Sequence, residues 1–194
     1  MDQAEQEAPE GGMGSCQQDI DAFKTPGEKS NLVHLMGPRK LNLGCGVAPE
    51  PIWNGWDNTD FNPRSSANFL FDMREENWPI KPESYNTIMA HLVLHLFNGR
   101  ELFQIIANIW ESLKSEGHLI GEVPYGMTGN PLHLRYWDET TPIHLTKGAY
   151  FKSELPTTLC DQMMPLREWE VPFVGLRKGE DSVAKSMLFV MKKV

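Results

Sequence analysis

The 194-residue chain has only three cysteines, Cys16, Cys45 and Cys160, and no two of them are close enough to form a CxxC pair. Such spacing supports neither a zinc site nor a disulfide framework, so no metal is expected. No apolar stretch approaches the roughly 20 residues that a membrane span requires. The amino terminus is acidic and polar, whereas a secretory leader needs a basic start and an apolar core, so the cytoplasm is the expected compartment. Positive charge is scarce as well: 18 Lys and Arg stand against 26 Asp and Glu, a net charge of −8, with no basic stripe. Nucleic-acid phosphates demand clustered Lys and Arg, which makes DNA and RNA poor candidates for a partner. With 40% hydrophobic and 23% charged residues, the composition is that of an ordinary globular domain.

The negative charge is unevenly spread. Residues 1–30 carry seven acidic side chains (Asp2, Glu5, Glu7, Glu10, Asp19, Asp21 and Glu28) against Lys24 and Lys29, leaving about −3 for the rest of the chain. This stretch is rich in Gln, Glu and Gly and poor in aromatics. It reads as an acidic, flexible tail ahead of one domain over residues 31–194. The alternative is a segment that folds over a site or docks a partner, anchored by Ile20, Phe23, Leu32, Val33 and Leu35.

Within the domain, the string LNLGCG at 41–46 stands out. Leu41 and Leu43 suit a buried strand, and Gly44 and Gly46 supply a sharp turn without a Cβ between the main chain and a ligand. A glycine turn after a first parallel strand is where α/β sheets bind nucleotides. A phosphate-binding GxxxxGK[ST] string is absent from the chain. A dinucleotide GxGxxG fingerprint fails because Pro49 takes the place of its third glycine, and Pro51 discourages the helix that must follow. A turn that passes beneath an amino acid and a ribose, rather than cradling a pyrophosphate, needs no helix amino terminus and survives. GWDNTD at 55–60 reads as a second strand ending in Asp60, placed to accept hydrogen bonds from both ribose hydroxyls. NFLFDMR at 68–74 reads as a third strand closing on Asp72, where an adenine would lie.

Farther on, SYNTIMAHLVLHLF at 84–97 reads as a buried fourth strand running into a short helix. Residues 100–114 place Leu102, Ile105, Ile106, Ile109 and Leu113 on one helical face. A Ser115-Glu116-Gly117 turn and a fifth strand stopped by Pro124 follow. Residues 167–176 and 183–194 suit the two strands of a closing hairpin. Only about nine residues separate Gly46 from the second strand, too few for a full crossover helix. The expected architecture is therefore an α/β, Rossmann-like sheet, mostly parallel, with a C-terminal antiparallel hairpin and trimmed helices. One face is left for a partner or a second copy to cover.

Taken in order, LNLGCG, GWDNTD, FDMREENWPIKPESYNTIMAHLVLHL, NIWESLKSEGHLIGEVP and NPLHLRYW resemble the small class I S-adenosylmethionine (SAM)-dependent methyltransferases of the type 11 kind. The resemblance covers roughly residues 40–137. It implies SAM as cofactor, held by Asn42, Gly44, Cys45, Gly46, Asp60, Asp72, Met73 and His91. It implies an acceptor side built from His91 and from the segment after the fifth strand, where His133 is the second base candidate and Arg135, Tyr136 and His144 the recognition candidates. For His91 the competing reading is a packing histidine; for His133 and Arg135 it is the pinning of a long loop. Two positions depart from the family pattern: Leu94 stands where the HxLEHL segment has Glu, and Asn86 where Asp is usual. The string [DNS]PP[YF] and a Pro-Cys nucleophile are both missing, which points away from DNA bases and toward a small molecule, a glycan or a protein side chain. The expected activity is methyl transfer to such an acceptor. A methyltransferase-like domain without catalysis, serving as a binding or assembly module, is the alternative. An oxidoreductase is disfavoured by Pro49.

Overall fold

The computed structural model describes residues 39–47, 49–50, 54–126, 129–147, 167–180 and 183–194. The acidic stretch 1–30, and the reading of it as a tail, lie outside the described residues. The elements are β1 (Lys40–Leu43), β2 (Trp56–Asp60), β3 (Phe69–Leu70), β4 (Tyr85–His91), α1 (Gly99–Ser112), β5 (Leu113–Pro124), α2 (Thr141–His144), β6 (Trp169–Lys178) and β7 (Ala184–Lys193). The strands form one sheet in the order β3-β2-β1-β4-β5-β7-β6. The first five run parallel, while β7 pairs antiparallel with both β5 and β6. This is the expected mostly parallel sheet closed by an antiparallel hairpin. Among the described residues, α1 is the only helix longer than about one turn, so the trimming of the helices is also found.

Strand alternation divides the sheet into two unlike faces. Register aligns Leu41 with Ile88 and Leu43 with Ala90 across β1 and β4, then Ile88 with Leu119 on β5 and Leu119 with Met191 on β7. All six are buried, and with Phe189 and Met187 they form one side of the core. The other side is α1, which buries Leu102, Ile105, Ile106 and Ile109 as its spacing predicts. The helix starts at a capping box: the Asn98 side chain accepts from the Glu101 N–H while the Glu101 carboxylate accepts from the Asn98 N–H, worth about 1 kcal/mol. The opposite face carries Lys40, Asn42, Asn58 and Glu122, and among its apolar side chains Phe173 and Leu188 are exposed.

Three local expectations need correction. The third strand is only Phe69–Leu70, both exposed at the sheet's edge, and Asp72 falls beyond it. Phe71 and Met73 leave the sheet to enter the core, where Phe71 meets Trp78 at a ring distance of 5.3 Å. The helix expected over 100–114 ends at Ser112, and Leu113 is the first residue of β5. The Ser115-Glu116-Gly117 turn is instead an irregularity inside that strand: Tyr85 pairs with Leu113, the next pair is Thr87 with His118, and Glu116 takes a φ of 62°.

Gly121 shows how tightly the core closes over β5. A Cβ there would meet the Phe189 ring at 2.1 Å. The ring cannot retreat, because Phe189 is fully buried and stacked at 5.6 Å on the equally buried Trp137. Gly121→Ala should therefore lower stability by about 1–3 kcal/mol, as overpacked cores do, read as a lower urea midpoint at unchanged slope.

Candidate functional site

The carboxyl ends of the central parallel strands form the candidate site. Leu43 is the last residue of β1 in register, opposite Thr59 on β2 and Ala90 on β4. One step farther along, Asp60, Gly44 and His91 stand side by side, and His91 pairs in register with Glu122 on β5. Four adjacent strands thus deliver a carboxylate, a glycine turn, an imidazole and a second carboxylate in one row.

The turn is built as the two glycines predict. Gly44 and Gly46 take φ values of 67° and 56°, a region that L side chains rarely adopt. At Gly44 a Cβ would also strike Val93 at 2.7 Å, with Met73 Cε at 3.5 Å. Above Gly46 nothing lies within 4 Å of where a Cβ would be. The main chain there is open to a ligand. Gly44 and Cys45 both donate their N–H to the Thr59 carbonyl, at 2.8 and 3.0 Å. Gly46 donates its N–H to Asp60 Oδ2 at 2.9 Å, and Asn62 donates to Asp60 Oδ1 at 2.8 Å. The Asp60 carboxylate is buried, and each of its oxygens still has acceptor capacity beyond one backbone bond. Burial first, and then the Asp60 charge, push the Cys45 thiol up. It stays protonated, the small packing residue that the sequence implied.

The other predicted residues divide. Met73 is buried and reaches the glycine turn. Asp72 is gripped by Arg74, whose Nε and Nη2 reach both carboxylate oxygens between 2.5 and 3.0 Å; this bond above all holds its carboxyl below the ordinary range. Asn42 is buried and donates through Nδ2 to Asn58 Oδ1 at 3.1 Å, so it acts within the sheet. His91 is 54% exposed, with Nε2 3.3 Å from Glu122 Oε2. His133 lies edge-on to His95 at 4.2 Å, with its Nε2 3.1 Å from the Asn130 amide nitrogen. Arg135 presses against Gly99 at the start of α1, whose Cβ would stand 2.9 Å from Nη1. Tyr136 and His144 are exposed. The segment holding these residues is anchored by Leu134 N–H on the His95 carbonyl and by Trp137 in the core. His91 therefore belongs to the row at the strand ends, while His133 and Arg135 belong to a loop pinned onto the segment before α1. The His91 pairing partner, Glu122, was missed in the sequence. Alternation along HLIGEVPY puts it on the same side as His118, but only the register reveals what it faces.

No cluster of His, Cys, Asp and Glu fit for a metal occurs among the described residues. A cavity of about 270 Å³ lies elsewhere, bounded by Leu41, Phe69, Ile80 and Tyr85 beside the Arg39–Asp57 ion pair. It offers no glycine turn and no open carboxylate, so the strand-end row, not the cavity, is the better site.

Solved structures resemble this arrangement. A SAM-dependent methyltransferase from Methanosarcina mazei is 10% identical, with 83% of this chain and 95% of that one covered at a TM-score of 0.54. One from Archaeoglobus fulgidus is 13% identical, covering 91% and 90% at 0.53. A methyltransferase of Haloferax volcanii, solved in complex with the Trm112 methyltransferase activator, is 11% identical, covering 80% and 82% at 0.54. The fold is that of the class I SAM-dependent methyltransferases. No protein-family model and no curated protein matches the chain. In this methyltransferase fold the row of Asp60, Gly44 and His91 occupies the carboxyl edge where open α/β sheets bind their ligands. No helix among the described residues is long and apolar enough to cross a membrane.

His95 gives the pinned loop a pH dependence. Burial first, then neighbouring His133, push its imidazole from 6.5 down to about 4. Between those values the unfolded chain takes up a proton that the folded chain refuses. Stability from this group is thus complete above pH 6.5 and is lost as pH falls toward 4. Urea midpoints measured from pH 7.5 to 4.5 should fall more steeply for the natural chain than for His95→Gln.

Proposed function

We propose that this protein transfers the methyl group of SAM to a small-molecule, glycan or protein acceptor in the cytoplasm. The observation that carries the reading is the buried Asp60 carboxylate, fixed by the Gly46 and Asn62 N–H groups beside an open glycine turn. Its two oxygens keep acceptor capacity for a pair of vicinal hydroxyls. Gly44 and Gly46 offer main chain without a Cβ, and Cys45 between them is buried, which suits the methionine and ribose portions. Asp72 and Met73 flank the adenine side in this reading. When bound, SAM supplies an electrophilic methyl on a sulfonium; the chain's task is to hold donor and acceptor about 3–3.5 Å apart and in line. His91 and His133 are the residues for the acceptor's proton, with Arg135, Tyr136 and His144 for its recognition.

A second reading draws on Leu94 and on the open sheet face. Leu94 is fully buried where the family pattern has a carboxylate, and Phe173 and Leu188 are exposed on the face opposite α1. The Haloferax methyltransferase works as a precedent for a protein partner, since it is held by an activator. In this reading the domain is an assembly module, or a methyltransferase that needs a partner or a second copy to cover that face.

Calorimetric titration with SAM and S-adenosylhomocysteine separates the two. Micromolar binding is expected, weakened about 10- to 100-fold in Asp60→Asn, the loss that goes with one or two hydrogen bonds to a charged group. A folded protein that binds neither compound would leave the assembly reading standing, and undiminished affinity in a folded Asp60→Asn would remove Asp60 from the site.

A further inference from the structure

His91 and Glu122 are paired in register on β4 and β5, so both side chains leave the sheet on the same face. The His91 Nε2 lies 3.3 Å from Glu122 Oε2. The carboxylate is itself held from β7: buried Ser186 donates through Oγ to Glu122 Oε1 at 2.6 Å. Arg177 Nη1 approaches the same oxygen at 3.7 Å from β6. Glu122 is 16% exposed and His91 is 54% exposed. The carboxylate is therefore fixed and largely shielded, whereas the ring it touches stays open to an incoming molecule. An exposed imidazole needs no buried carboxylate for its own solvation, and such a half-exposed pair adds little to stability, about 0–1 kcal/mol. Its chemical use is different. A carboxylate against one ring nitrogen keeps the neutral ring's proton on that atom, leaves the other nitrogen as proton acceptor, and offsets the charge once the ring is protonated.

We propose that His91 is the base of the site, that Glu122 is its positioning residue with Ser186 steadying the carboxylate, and that the acceptor is a hydroxyl compound. This inference rests on the methyl-transfer reading above. Methylation of a hydroxyl forms an O–C bond as the S–C bond of the sulfonium donor breaks, with that electron pair returning to sulfur. The hydroxyl proton must leave, and His91 Nδ1 takes it while Nε2 stays on the Glu122 side of the ring. An amine, once it has been deprotonated to its neutral form, attacks with its own lone pair. A hydroxyl must give up its proton as the O–C bond forms, so a base held in this way serves a hydroxyl in the bond-forming step itself. His91 stands one strand from the glycine turn, which brings the base to the donor's side of the sheet. His133 is less apt, because the amide nitrogen of Asn130 can only donate, and so occupies the Nε2 lone pair.

Two measurements on the full chain test this. In the ligand-free protein with 13C-labelled histidine rings, relaxation should give the His91 ring an order parameter near the rigid range of about 0.85. In Glu122→Gln it should fall below about 0.6. In the SAM-saturated protein, S-adenosylhomocysteine formation should be driven by catechol and not by benzylamine. Glu122→Gln should lower kcat about 100-fold and Ser186→Ala by less, both with KM for SAM unchanged. An equally mobile ring in both proteins, an unaltered kcat in Glu122→Gln, or methylation of benzylamine with catechol inert would overturn the proposal. Failure of the natural chain to bind SAM would strike the methyl-transfer reading instead, because the ring measurement is made without SAM.

Discussion

The main-chain hydrogen bonds that tie the glycine turn to β2 are the constraint on which the rest of the site depends. Two of the turn's three residues are glycines at positive φ, with no side chain to hold their shape. Here two successive N–H groups, Gly44 and Cys45, converge on the single Thr59 carbonyl, and the third, Gly46, goes to the Asp60 side chain. The turn and the carboxylate are therefore one rigid unit. Asp60 cannot rotate without releasing Gly46 and Asn62, and the turn cannot open without unseating two bonds on β2. Preorganisation of this kind lowers the ordering cost of binding, since the groups a ligand meets are already in position.

The sheet behind that unit is packed unevenly. On the α1 face, Leu41, Leu43, Ile88, Leu119, Met187 and Phe189 are buried and tightly fitted, to the point that Gly121 is required for the Phe189 ring. Where β5 begins, Lys193 of β7 closes this layer: its buried Nζ donates to the Leu113 carbonyl at 2.7 Å and lies 3.9 Å from the centre of the Trp110 ring. The other face carries the polar row of Asn42, Asn58, Asp60, His91 and Glu122. A dense apolar layer on one side supplies the burial that stabilises the domain, which lets the opposite side hold charged and hydrogen-bonding groups.

Much of this was legible in the chain. Strands, the amphipathic α1 and the closing hairpin follow from periodicity, and the glycine turn with Asp60 follows from residue types that have few other uses in that order. What was not legible depends on the tertiary surroundings of a residue, most often on register between strands distant in sequence. Glu122 looks like any solvent-facing carboxylate in an alternating strand until His91 is found opposite it. Asp72 looked like the end of a strand, but edge position and the pull of Phe71 and Met73 into the core cut that strand to two residues. Asn42, expected at the cofactor by resemblance, also donates through its amide to Asn58, a contact that only the register of β1 and β2 reveals.

Asn58 also explains how so short a chain closes parallel connections that ordinarily need a dozen or more residues and a helix. Its side-chain amide accepts from the Glu50 N–H at 2.8 Å and donates to the Glu50 carbonyl at 2.7 Å. This pair of bonds imitates a strand partner and fixes the link from β1 to β2. On the next connection the roles reverse: Asn58 donates its backbone N–H to Asn68 Oδ1 at 2.6 Å and accepts from the Asn68 N–H at 3.0 Å. Two asparagine side chains thus satisfy backbone groups that would otherwise be left without partners as the chain leaves the sheet. The described parts of these connections, Glu50 and Asn68 among them, are held to β2 by amide bonds at Asn58, two residues from Asp60 in the chain.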